Sequence, residues 1–238
     1  GMVLDNRIRL FVVLAGVFCT ALVVGDILSV KLFEVQLGPI VSVMSVGIVL
    51  FPVTFVLTDT LNEFYGQKAA RFVTWAGLGM ALFAFSAIYV VLGIEWAPLT
   101  RASDYRGTVE NSFNNVFGGS QRILLASMAA YVIGQLIDIA LFHLLKRRTH
   151  NRMLWLRATG STVVSQLIDT VVFQSIAWAG VLPPGVITRI ILTSYVVKLL
   201  VAVGLTPIIY GVHALLERWL GLKPVVLSDN GEPLTPTA

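Results

Sequence analysis

The sequence predicts an all-α integral membrane protein with six transmembrane helices and a short internal antiparallel motif repeat. Three observations carry that fold class. Of the 238 residues, 56% are hydrophobic and 13% charged, and the mean hydropathy is +0.83. A soluble domain carries about 45–50% apolar and about 25% charged residues, so this chain lacks the charged coat such a domain needs. Six segments offer the roughly 20 mostly apolar residues that cross a bilayer. Two of them hold matched copies of one polar motif.

The spans fall at 9–33, 39–58, 68–93, 122–145, 157–180 and 187–218. The apolar run of the first is too long for a cleavable signal. Gly1 ahead of Met2 reads as an expression remnant. Pro52 is expected to kink the second span and Pro207 to bend the last. Lys and Arg set the orientation. With the N-terminus inside, the cytoplasmic side holds Arg7, Arg9, Lys68, Arg71, Lys146, Arg147, Arg148, Arg152, Arg157, Arg218 and Lys223, against Lys31, Arg101, Arg106, Arg122 and Arg189 outside. That excess of basic residues puts both termini in the cytoplasm. It also accounts for the basic cluster at 146–157 without a nucleic-acid partner.

Segment 94–121 is the only long polar loop and is expected outside. Its Val109, Phe113, Val116 and Phe117 have helical spacing, which fits a short interfacial helix or lid as well as a surface loop with a few apolar contacts. Residues 1–221 read as one six-helix membrane domain and 222–238 as a flexible cytoplasmic tail. The single Cys19 excludes a disulfide framework and a multi-cysteine metal site.

The motif copies are Gln135-Leu-Ile-Asp138-Ile-Ala-Leu-Phe142 and Gln166-Leu-Ile-Asp169-Thr-Val-Val-Phe173. Their offset is one helix plus one loop, so the helices run antiparallel. Within each copy Gln, Asp and Phe fall at i, i+3 and i+7, on one helix face. A carboxylate at membrane depth costs about 2.5–3.5 kcal/mol on insertion scales. A single such Asp can be a packing device. Two at matched positions, each with a Gln one turn away, favour a polar cavity.

Asp26, Lys31, Asp59, Glu63 and Lys198 are also expected near or within the bilayer. Lys31 can snorkel to the interface. Asp59 and Glu63, one turn apart in the second connection, are either solvated or paired with Lys68 and Arg71. Lys198 lies about ten residues into the last span, about 15 Å along the helix, too deep to stay unpaired. Asp169, at similar depth on the preceding antiparallel helix, is its expected partner. No enzyme signature appears: His143, His150 and His213 lack metal-ligand spacing, and no nucleophile elbow, P-loop or dinucleotide fingerprint is present. No catalytic residue and no cofactor are expected.

The run Phe51-Pro52-Val53-Thr54 through Asp59-x-x-x-Glu63-x-Tyr65-Gly66 resembles the signature of the queuosine precursor transporter family, also called the vitamin uptake transporter family. Gln135-x-x-Asp138, Ser161-Thr162 through Asp169-Thr170, and Tyr195-x-x-Lys198 match as well, and the resemblance runs from about Asp26 to Pro207. One departure is Asp26, where the family pattern tends to Asn. The resemblance implies import of 7-deazaguanine precursors of queuosine, such as the 7-cyano and 7-aminomethyl bases, across a bacterial inner membrane. It points to Asp169, Gln166, Asp138, Gln135, Lys198, Asp59, Glu63, Asp26 and Tyr195 as substrate-binding residues. The chemistry agrees. A carboxylate can accept the ring N–H and exocyclic amine together, Gln can donate to the ring carbonyl, and Phe142, Phe173, Trp178 or Tyr195 can stack on the ring.

Two other classes remain open to the sequence. One is the substrate-binding subunit of an energy-coupling-factor vitamin importer, whose ATPase module needs an exposed small-residue dock such as Ala126-x-x-Ala129-Ala130. The other is a membrane enzyme or structural subunit. Membrane lipid surrounds the chain in every reading, and a homodimer is an arrangement the pattern allows.

Overall fold

A computed structural model of the chain describes residues 5–29, 31–38, 40–118, 121–149, 154–180, 182–221 and 223–225. Six α-helices dominate: α1 (Asn6–Leu28), α2 (Phe51–Leu92), α3 (Glu110–Phe117), α4 (Gln121–Arg148), α5 (Leu154–Trp178) and α6 (Pro184–Leu220). Four of them, α1, α2, α4 and α6, are long and apolar enough to cross a bilayer. Large apolar side chains such as Phe72, Phe83 and Tyr89 point outward from the bundle. In water that would be a liability; against acyl chains it is the expected coat. The chain is a multi-pass membrane protein.

The second predicted span, 39–58, is helical only from Phe51 on, after a one-turn 3-10 helix. Its first part is a strand: β1 (Leu32–Leu37) and β2 (Ile40–Ser45) form an antiparallel hairpin in which Leu37 faces Ile40 and Leu32 faces Ser45. Gly38, at φ 59°, supplies the left-handed residue at the turn. A one-turn 3-10 helix, Val46–Val49, leads into α2. Hydropathy alone cannot separate an apolar strand from an apolar helix, and the β-branched residues Ile40, Val41 and Val43 favour the strand. The same hairpin shortens the first span, because α1 ends at Leu28. Pro52 produces no kink. It lies in the first turn of α2, where its missing N–H would have had no partner. Pro207 lies inside α6, which continues through it.

The 42 residues of α2 would run about 63 Å if straight, twice the roughly 30 Å hydrocarbon core. Gly66, at φ 79° and ψ 174°, breaks the helix into a short arm ending at Tyr65 and a long arm beginning at Gln67. Carbonyls just before a helix end lack the amides one turn on. Here two distant segments supply donors: the Arg7 guanidinium donates to the Phe64 carbonyl at 2.9 Å, and the Val225 amide donates to the Glu63 carbonyl at 2.8 Å. Tyr65 returns a bond to the Arg7 carbonyl. The described ends of the chain therefore meet at one end of the bundle. Val225, within the expected tail, is buried against α2; Leu222 and residues 226–238 lie outside the described residues.

Packing runs from α1 to α2, from α2 to α4 and α6, and most extensively between α4 and α5, with α6 closing on α5. One apolar cluster gathers Phe18, Leu61, Ala70, Val73 and Ile139; a second gathers Phe55, Phe142, Ala202 and Ile209. The segment 94–121 does contain a helix, α3, pinned by Phe113 between Trp96 and Phe117.

Candidate functional site

A cavity of about 540 Å³ opens between α1, α2, α4, α5 and α6. Of the nine sequence-predicted site residues, six line it: Asp26, Gln135, Asp138, Gln166, Asp169 and Lys198. The motif spacing explains how. Gln166, Asp169, Thr170, Phe173 and Gln174 occupy one face of α5, and Ser127, Tyr131, Gln135 and Asp138 occupy the facing side of α4. Phe51 and Phe55 of α2, with Phe173 and Trp178 of α5, give the cavity aromatic walls. Val116 and Phe117 of α3 reach it too, so the helix from the long loop forms part of its rim.

Lys198 meets Asp169 at 2.5 Å, the pairing expected from their depth. Its ammonium also lies 5.9 Å from the centroid of the Phe51 ring, within cation–π reach. The close approach of α5 to α4 depends on Gly134. A Cβ there would stand 3.0 Å from the Asp169 Cβ, tighter than ordinary packing. Four residues along α4, Asp138 accepts a hydrogen bond from the Ser165 hydroxyl of α5 at 3.0 Å. Asp26 accepts one from Ser127 at 2.9 Å. Thr58 donates to Gln135 at 3.4 Å and to the Thr54 carbonyl at 2.8 Å.

The other three predicted residues lie elsewhere. Tyr195 donates its hydroxyl to the Val163 carbonyl at 2.8 Å, tying α6 to α5. Asp59 and Glu63 are not solvated, nor is Glu63 paired with Lys68 or Arg71. Both are buried, and Glu63 meets Lys146 of α4 at 3.2 Å. Lys146 therefore leaves the basic cluster that sequence placed at the membrane surface. A charge left inside the bundle needs a partner, and Glu63 supplies it. Phe142 packs in the second apolar cluster and does not line the cavity.

Sequence reading missed Thr58, Ser127, Thr170 and Gln174. For the last two the signal was available: Gln166, Thr170 and Gln174 recur every four residues, one turn apart. The proposed small-residue dock is not exposed. Ala126 and Ala130 are buried, and Ala130 faces the cavity.

Residues 45–212 match the family described as "Putative vitamin uptake transporter". The chain belongs to this family. Within it, the chain is similar to the "Probable queuosine precursor transporter" of Bacillus subtilis, at 32% identity over 73% of each chain. It is also similar to the "Queuosine precursor transporter" of Escherichia coli, at 30% identity over 72% of this chain and 74% of the relative. A Haemophilus influenzae relative, again a "Probable queuosine precursor transporter", is 30% identical over 56% of this chain and 51% of its own. No solved structure matches. The vitamin uptake transporter match covers every cavity-lining polar residue named above except Asp26. A transporter of this family carries a small-molecule substrate across the membrane that surrounds it.

Proposed function

We propose that this transporter imports 7-deazaguanine precursors of queuosine across the bacterial inner membrane. The observation that carries the reading is the convergence of two matched Gln–Asp pairs and one lysine on a single aromatic-walled cavity. Its volume suits a bicyclic base. Asp169 and Asp138 accept the donor edge of the base, Gln135 and Gln166 donate to its carbonyl, and Phe173 or Trp178 stacks on the ring. Lys198 neutralises Asp169 and orients it. The chain crosses six times, the short arm of α2 with its hairpin making the second passage, and both termini are cytoplasmic. Residues 1–221 form one membrane domain, followed by a cytoplasmic tail. The two Gln–Asp copies form an antiparallel repeat around the cavity, the arrangement that favours a site near the midplane.

The test is uptake of labelled 7-cyano- and 7-aminomethyl-7-deazaguanine by proteoliposomes holding this chain alone, with guanine as comparison. Accumulation of a deazaguanine, abolished by Asp169→Asn in a protein that still inserts, supports the reading. No uptake of either deazaguanine, or equal uptake by the variant, overturns it. Uptake by the chain alone also separates it from a subunit that depends on an ATPase module.

A further inference from the structure

The polar lining of the cavity is unbalanced. Among its described residues it holds three carboxylates, Asp26, Asp138 and Asp169, and one cation, Lys198. Lys198 is engaged by Asp169. The hydroxyls nearby are already donating: Ser165 to Asp138, Ser127 to Asp26, Thr58 to Thr54 and Gln135. The partner of Asp26 is a neutral hydroxyl, and no described cation bonds it.

Two further side chains sharpen the imbalance. Thr170 and Gln174 line the same cavity, are 2% and 8% exposed, and their Oγ1 and Oε1 atoms have no hydrogen-bond partner among the described residues. A buried polar atom without a partner is costly, so such atoms in a cavity wall mark where a ligand bonds. The groups open to bonding mostly accept: a carboxylate with spare lone pairs, an amide oxygen, and a hydroxyl that can accept.

We infer that the cavity selects a ligand bearing an ammonium arm, taken by Asp26, with Gln174 and Thr170 available to bond the same ligand. This rests on the deazaguanine reading above and deepens it: the 7-aminomethyl base is preferred over the 7-cyano base. The two share one ring, so Asp138, Asp169 and the glutamines serve both alike. They differ at the substituent. A primary alkyl amine is protonated at neutral pH and brings three donors and a positive charge, whereas a nitrile brings only an acceptor. An acceptor placed against Asp26 repels; an ammonium completes it. Charge-assisted hydrogen bonds are the stronger kind.

Titrate the intact protein in lipid nanodiscs with each base, and repeat with Asp26→Asn and Gln174→Leu. The wild type is expected to bind the aminomethyl base at least about tenfold more tightly, the size of one charge-assisted bond. Asp26→Asn should erase that preference, weakening the aminomethyl base while the cyano base, relieved of repulsion, binds no more weakly than to the wild type. Gln174→Leu should narrow the preference. Equal wild-type affinities, or a tighter cyano complex, overturn the inference and leave Asp26 for a coupling cation. Equal weakening of both bases by Asp26→Asn also overturns it, since the residue then only shapes the cavity. Binding of neither base by folded wild type overturns the deazaguanine reading as well. Melting curves without ligand report whether each variant folds, and the wild-type comparison decides even if one does not.

Discussion

Lys146 and Glu63 meet at 3.2 Å with 1% and 3% of their side chains exposed, whereas Lys198 and Asp169 meet at 2.5 Å with 18% and 20% open to the cavity. Both pairs join a lysine to a carboxylate inside the same bundle. The first is sealed between the short arm of α2 and α4, beside the Gly66 break. The second borders space that a ligand can enter. Desolvation is nearly complete for the first and partial for the second, so the same chemistry has different consequences. A sealed pair fixes how helices assemble. A pair on a cavity wall can be rearranged by whatever binds there.

The comparison breaks first at Lys146. Lys146→Met removes the ammonium that meets the enclosed Glu63 carboxylate, and is expected to cost about 3–5 kcal/mol of stability. Denaturant unfolding in detergent measures it, and a loss under about 1 kcal/mol would show that the sealed pair does not hold the helices. At the cavity pair, Lys198→Met or Asp169→Asn should each cost less, about 1–3 kcal/mol, because water reaches the survivor. The double variant Lys198→Met with Asp169→Asn should recover part of the loss without recovering transport. Strictly additive losses in that cycle would mean that the two residues do not interact.

Gly134→Ala sharpens the comparison without touching a charge. The added methyl presses on the Asp169 side chain and should cost about 1–3 kcal/mol by overpacking. It should also weaken ligand binding, and unchanged affinity would show that the Asp169 position is not critical. The smallest effect is expected at Ser165→Ala, which removes one neutral donor to Asp138, at about 1 kcal/mol. A thermal melt read beside that of Gly134→Ala tests the order; a larger loss at Ser165 reverses it.

The cavity was legible where the cost of burial was highest. Asp138, Asp169 and Lys198 stand out in a sequence because charge within a span has to be satisfied, and depth alone paired the last two. Lys146 was not legible, because a lysine at the end of a span reads the same whether it faces headgroups or turns inward. Only the carboxylate of Glu63, remote in sequence, decides which. The hairpin was hidden for a related reason: Ile40–Ser45 is as apolar as a helix, and hydropathy carries no backbone information. Asp26 was among the candidate binding residues, but its place at the end of a span did not show how it is held on the cavity, since its neighbour Ser127 comes from a helix about a hundred residues later.

The break at Gly66 has a consequence for biogenesis. Its two added donors come from segments far apart in sequence, Arg7 for the Phe64 carbonyl and Val225 for the Glu63 carbonyl. Arg7 is made before the break. Val225 is made long after it. At about 5–20 residues per second, the Glu63 carbonyl waits roughly 10–30 s for its last donor. The elbow of α2 is thus laid down early and closed late, and a nascent chain stalled before Val225 holds α1 to α6 with that elbow still unlatched.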